Sequence, residues 1–321
     1  MSGALSHGPK TPAGRQALAG SCHGFNVRST IPLELTREPL TGDGADELVV
    51  RPLASHLDEP TGAPVQVWQA KPGKPFSARL HRTPDGFGMW IDGLGSYIID
   101  PHKAVISVPC DRSPSQVETR LWGIPAVLCF LARGDVSLHA AAIEIDGRAV
   151  LLTGPGRHGK TTLAAAFHRA GFRVLSEDLC RIRIGSAPEV FPAAAMLRLR
   201  HDVRVGLGEL TNTKVVSEDD DRVHLAVTDR QRGSGVPVPI GGVVMLRVAD
   251  GERTLRTAPT LEAIRDLWGL SYNLPTDPDR ARCFDGVAAL AATVPMWNLT
   301  RPLTFRTLDD VVQEIAARCV S

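Results

Sequence analysis

The segment from Leu138 to Arg183, LHAAAIEIDGRAVLLTGPGRHGKTTLAAAFHRAGFRVLSEDLCRIR, decides how the chain folds. At its centre Gly154, Pro155, Gly156, Arg157, His158, Gly159, Lys160 and Thr161 match the phosphate-binding loop pattern G-x-x-x-x-G-K-S/T. Its glycines let backbone N–H groups turn inward around phosphate oxygens. The Lys160 ammonium can reach the β- and γ-phosphates, the Thr161 hydroxyl can ligate Mg²⁺, and Thr162 follows at the loop's exit. Ala149 to Thr153 is a short apolar run suited to a buried strand, and Thr162 to Ala170 reads as a helix that Gly171 stops. A loop between strand and helix places the positive end of the helix dipole behind a bound anion. These features predict an α/β core holding a nucleotide or another phosphate ligand. The alternative on the residues alone is a Gly-rich turn that keeps the shape without the ligand.

Phe172 to Ser176 reads as the next strand, ending in Glu177 and Asp178. Two carboxylates at the end of a strand beside a phosphate loop suit two tasks. One holds Mg²⁺, directly or through water, and the other accepts a proton from an attacking hydroxyl. The alternative is that one acid caps a turn. Upstream, Ser137 to Ile145 alternates like a strand, and Asp146-Gly147 is a two-residue hairpin signal. His139 therefore lies beside the strand that feeds the loop. On the pattern alone it is either a satisfied core residue or a site residue.

Together these parts resemble the catalytic domain of HPr kinase/phosphorylase and its kinase-like relatives, among them serine kinases and kinases of lasso-peptide precursors. The matching pattern is Leu138-His139 opening a strand, the hairpin, the loop from Gly154 to Thr161, one helix, and the acidic pair Glu177-Asp178. The resemblance extends more weakly over residues 24 to 319. It implies an α/β fold with a P-loop nucleotide-binding core of the HPr kinase / PEP carboxykinase type and an N-terminal β-rich region. The implied organisation is a disordered stretch over 1–22, the β-rich region over 23–112 and the catalytic domain over 113–321. The implied reaction is ATP-dependent phosphorylation of a serine-type hydroxyl on a peptide, a small protein or free serine, with a ribosomal peptide precursor preferred. Oligomers are a further implication. Glu177, helped by His139, is the expected base, Thr161 and Asp178 the expected Mg²⁺ ligands, and Lys160 the phosphate clamp.

Three departures stand out. The family pair is commonly Asp-Asp, whereas Glu177 reaches one methylene further. Arg157 and His158 occupy loop positions that are usually small or apolar. The regulatory enzyme's Arg-Gly-Leu-Gly signature is absent, and Val205 to Gly208 only echoes it. The last points to a relative with a different acceptor. The first two support a rival from another class, a nucleotide-binding accessory or assembly ATPase without kinase activity.

Net charge is +1 over 321 residues, so nothing in it suggests a nucleic-acid or membrane partner. No apolar stretch is long enough to span a bilayer. The six cysteines are scattered without a C-x-x-C pair, which argues against structural zinc and a disulfide framework and for reduced thiols in the cytoplasm. Residues 24 to 110 read as short strands separated by Gly and Pro. Ser113 caps a helix reaching about Ala132, kinked at Gly123 and Pro125. Beyond the acids, Met196 to Arg200 reads as a strand with Arg198 and Arg200 on one face, able to stabilise transferring charge or simply solvated. Asn212 to Asp221 reads as a loop or lid, Tyr272 to Arg282 as a loop, and Thr307 as the cap of a last helix.

Overall fold

The computed structural model describes residues 17–41, 46–68, 77–228, 233–273 and 277–320, arranged as a mixed α/β protein with several sheets. β1 (Ala17–Cys22), β2 (Phe25–Ser29), β3 (Asp46–Pro52), β4 (Gln66–Trp68), β5 (Ala78–Thr83), β6 (Gly86–Ile91), β7 (Gly95–Asp100) and β8 (Val105–Val108) form one sheet in the order β1-β2-β3-β8-β7-β6-β5-β4. The expectation of disorder over 1–22 is corrected for its last part. Residues 17–22 are β1, ordered by pairing with β2, and 1–16 lie outside the described residues. Within the stretch of short strands expected over 24 to 110, residues 42–45 and 69–76 also lie outside them.

The connector is two helices, α1 (Pro114–Leu121) and α2 (Ile124–Leu131), not one kinked helix. Ser113 caps α1 by accepting from the Gln116 N–H. The chain breaks at Gly123, and Pro125 falls in the first turn of α2, where its missing N–H leaves no helix bond unmade.

The run expected as one strand is β9 (Val136–Leu138) and β10 (Ala140–Ile145), with a bend at His139 between them. The two halves take different partners. β10 turns through Asp146 and Gly147, at φ 48° and 76°, into antiparallel β11 (Arg148–Thr153). Two left-handed residues make a turn whose twist matches the strands it joins. β11 leads through residues 154–159 into α3 (Lys160–Arg169), followed by β12 (Arg173–Ser176) on the far side of β10. β9 instead pairs with β13 (Cys180–Arg183), which runs on to β14 (Glu189–Phe191).

β15 (Met196–Arg200), α4 (His201–Leu207), β16 (Thr213–Glu218) and β17 (Arg222–Val227) follow, the strands forming a separate three-stranded sheet. The expected loop over Asn212 to Asp221 is thus mostly β16. Its polar sequence reflects an edge strand largely facing water. β18 (Val238–Val248) lies parallel to β11 and to β21 (Met296–Arg301), while β19 (Thr254–Thr257) edges β21 and β20 (Ser271–Tyr272) edges β9. α5 (Thr260–Leu270) and α6 (Asp277–Thr293) pack on one face of this sheet, and α3 and α7 (Leu308–Arg318) on the other. Covered on both faces, β11 and β18 are continuously apolar rather than alternating. Residues 277–282 of the expected loop begin α6, with Pro278 in the first turn, and 274–276 lie outside the described residues. Thr307 makes no side-chain cap bond. Among the described residues no helix is long and apolar enough to cross a membrane.

The β1–β2 turn, His23-Gly24, is driven into the second sheet. The His23 N–H donates to the Pro192 carbonyl at 2.8 Å, and Arg181 Nη1 donates to the His23 carbonyl at 2.6 Å. Arg181 is 1% exposed. It pairs with Asp135 at 2.6 Å and stacks on Phe25 and Phe191. Arg37 donates to the carbonyls of Val174, Leu175 and Ala193, tying the N-terminal segment to the strand that carries the acids. Gly24 has φ 75°, and a Cβ there would stand 2.2 Å from the Phe191 ring. Gly24→Ala is expected to cost about 1–3 kcal/mol, from backbone strain and overpacking, measured by urea unfolding.

Candidate active site

The loop's backbone is set by its glycines. Gly154 and Gly159 have φ 148° and 84°, and a Cβ on Gly154 would stand 2.9 Å from the Leu246 carbonyl. Arg157 also takes a left-handed φ of 67°. Lys160, in the first turn of α3, is buried. Its Nζ donates to the carbonyls of Gly154 at 2.7 Å and Pro155 at 3.1 Å. Burial lowers its pKa, partly opposed by Asp178 and Glu177. The ammonium thus lies under its own loop.

The acids sit just past β12. Glu177 is 5% exposed and Asp178 38%. The Thr161 hydroxyl donates to Glu177 Oε1, and Arg198 Nε donates to Glu177 Oε2 at 3.0 Å. The same guanidinium pairs through Nη2 with Asp178 Oδ2, so one cation bridges both carboxylates. His139 Nδ1 lies 3.1 Å from Asp178 Oδ1 and 3.1 Å from the Asp178 carbonyl. The bend between β9 and β10 puts it there, and its N–H is held by the Leu270 carbonyl at 2.8 Å. Burial pushes the Asp178 carboxyl upward, but Arg198 and His139 outweigh this and hold it well below the usual carboxylate range. Burial likewise works against the Arg198 charge, and the two acids more than restore it.

Two cavities meet at this cluster. The larger, about 840 Å³, is lined by Gly156, Arg157, Gly159, Lys160, Thr161 and Thr162 of the loop, with Arg200 and Arg222 among the cations around it. The smaller, about 410 Å³, lies against Glu177 and is walled by α1, α2 and the end of α5. His139, Asp178 and Arg198 line both. Of the residues expected at the site, Gly154, Pro155 and His158 shape the loop without lining either cavity, and His158 Nδ1 lies 3.0 Å from the Gly156 carbonyl. Arg200 lines the larger cleft but pairs with Asp202 rather than with the acids. Cys180 is buried with its thiol against the Ala140 carbonyl.

For a magnesium ion, the hard oxygens of Thr161 and Glu177 fit, with Asp178 next to them. Among the described residues no group of three or more His, Cys, Asp and Glu side chains could cage a metal. A site relying on one or two carboxylates plus phosphate and water is how magnesium is commonly held. Thr161 contacts Glu177 and not Asp178, the reverse of the expected pairing.

Arg301 was not singled out from the sequence. It ends β21, is 2% exposed and lines the larger cleft. Its Nε and Nη2 have no hydrogen-bond partner among the described residues, and a Cβ on Gly159 would stand 2.6 Å from Nη2. Ligands of open α/β sheets gather at the carboxyl ends of parallel strands, and that rule would have found it once β21 was placed beside β18.

No protein-family model matches the chain, and no curated protein matches it at a significant level. Among solved structures, the HPr(Ser) kinase/phosphatase from Coxiella burnetii is similar over 56% of this chain and 93% of that one, at 10% identity and a TM-score of 0.30. A likeness so slight carries no argument about fold or activity.

Arg198→Met is expected to cost about 1–2 kcal/mol of stability at neutral pH, discounted for the solvent at Asp178. Asp178 is depressed in the folded state, so this stabilisation is present above the unfolded value. The gap between parent and variant in urea unfolding should therefore narrow as pH falls below about 4.

Proposed function

We propose that the protein is an ATP- and Mg²⁺-dependent kinase that transfers the γ-phosphoryl group to a hydroxyl. The observation that carries this reading is the shared wall of His139, Asp178 and Arg198 between a cleft lined by the phosphate loop and a second cavity. Phosphoryl transfer needs the attacking and leaving oxygens on opposite sides of one phosphorus, and it asks the protein mainly for positioning and charge stabilisation. The loop N–H groups and Lys160, released from the Gly154 and Pro155 carbonyls, would hold the phosphates. Thr161 and Glu177 would hold Mg²⁺, which when bound neutralises charge on the phosphate oxygens. Asp178, ionised and open to both cavities, would take the acceptor's proton, with His139 orienting it. This exchanges the roles first expected of the two acids, because the Thr161 hydroxyl selects Glu177. By the sequence resemblance, the acceptor is a serine-type hydroxyl on a peptide or small protein such as a lasso-type precursor. Residues 113–321 would form the catalytic unit beside the β-rich region.

One observation favours a rival, an accessory ATPase without kinase activity. Both Lys160 and Thr161 are engaged by the protein's own groups. Incubation with labelled ATP separates the two, since a kinase labels an acceptor and an accessory releases only free phosphate.

Lys160→Ala is expected to lower transfer by about 100-fold or more. Asp178→Asn should remove transfer while leaving ATP affinity, whereas Glu177→Gln should raise the Mg²⁺ concentration needed for half-maximal rate. Steady-state kinetics with Mg²⁺ titration reads the split, and the opposite pattern returns the base role to Glu177.

Arg301 would meet phosphate oxygens with its unpaired donors. Arg301→Ala should slow transfer by about 10²–10³-fold, yet leave thermal stability equal or higher, because a buried guanidinium with Nε and Nη2 unpaired is a cost to the fold. Loss of stability with unchanged kinetics would give it a packing role instead.

A further inference from the structure

We propose that the smaller cavity is the acceptor site, and that it selects a neutral hydroxyl-bearing group with apolar flanks over a charged acceptor such as a free amino acid. The inference rests on the kinase reading and adds the chemistry of the second substrate.

Position comes first. A hydroxyl in this cavity lies beside the Asp178 carboxylate, which also lines the cleft of the phosphate loop, so acceptor and phosphate can meet across one residue. The oxygen attacks the γ-phosphorus, the bond to the ADP oxygen breaks, and the hydroxyl proton passes to Asp178.

Charge comes second. Outside the shared wall, the ionisable side chains lining the cavity are Glu177, His23 and Tyr272. Glu177 already has both oxygens engaged, by Thr161 and Arg198. His23 is 1% exposed, and burial, with Arg181 adding to it, lowers its pKa to about 3, so the ring is neutral. Burial raises the Tyr272 pKa, keeping the phenol neutral too. An ammonium or carboxylate carried by the acceptor would be desolvated here without a dedicated counter-charge, which is costly.

The walls complete the selection. Trp122, Ile124, Leu179, Met196 and Leu270 supply apolar surface. The Trp122 N–H is already donated to Glu118 at 3.1 Å, leaving its ring carbons to the cavity. Thr119, Ser176 and Ser271 add hydroxyl groups to the lining. Each donates to a backbone carbonyl, which leaves its oxygen able to accept from an amide or hydroxyl of the ligand. A cavity of about 410 Å³ holds a small molecule or a residue or two of extended chain, and not a folded domain.

The test uses the full chain, Mg²⁺, radiolabelled ATP and three acceptor probes: free L-serine, N-acetyl-seryl-phenylalanine amide and phenethyl alcohol. At least one neutral probe should be labelled about tenfold or more faster than serine, given the burial cost of a zwitterion. Preference for the dipeptide identifies a peptide source, and preference for the alcohol a small-molecule source. Ile124→Trp, which fills the cavity, should abolish labelling while the variant still binds a fluorescent ATP analogue. Serine labelled as fast as the neutral probes or faster, or undiminished labelling by Ile124→Trp, overturns the proposal. Failure of the parent to bind ATP, or ATP bound with no label on any of the three probes, overturns the kinase reading beneath it and is distinct from both.

Discussion

Glu177 and Asp178 are consecutive carboxylates, one of them nearly buried, and a single cation pairs with both. Arg198 supplies that cation from β15, a strand of a different sheet, and its planar fork reaches both acids at once. The rest of the site follows from this pairing. Glu177, held by Arg198, faces Thr161 at the start of α3. Asp178, held by Arg198 and His139, is left at the border of two cavities. A lysine in place of the arginine would present a point charge and could not bridge the pair in the same way.

The second constraint is the seam between the N-terminal sheet and the sheet carrying the loop. Burying a guanidinium is unfavourable unless its donors and charge are met. Arg181 meets that requirement with Asp135, the His23 carbonyl and flanking aromatic rings, and Arg37 with three carbonyls beside the acid-bearing strand. The Arg181 bond to its carbonyl holds His23 in the lining of the smaller cavity. The N-terminal strands are therefore part of the site's wall and not a detached appendage.

Local chemistry made much of the core legible. The loop pattern, the Asp146-Gly147 turn, the apolar run of β11 and the stop at Gly171 each depend on a few neighbouring residues. Reading failed where long-range contacts override local signals. The alternation from Ser137 to Ile145 has no mark at His139, because the bend arises from the two halves of the run pairing with different strands of the sheet. β16 looked like a loop because an edge strand needs few apolar residues, and the start of α6 looked like one because Pro and Asp suit turns and helix starts equally.

By itself the sequence determined that residues 149–178 would form strand, loop, helix and strand ending in two acids, since backbone preference and hydrophobic period act within a few residues. Only the tertiary structure decided which acid meets Thr161, that Arg198 bridges both while Arg200 turns to Asp202, and that Arg301 reaches the loop from the last strand. Those choices depend on sheet order and register, set by burying apolar faces across more than a hundred residues of chain. No local pattern encodes which side chains that packing brings together.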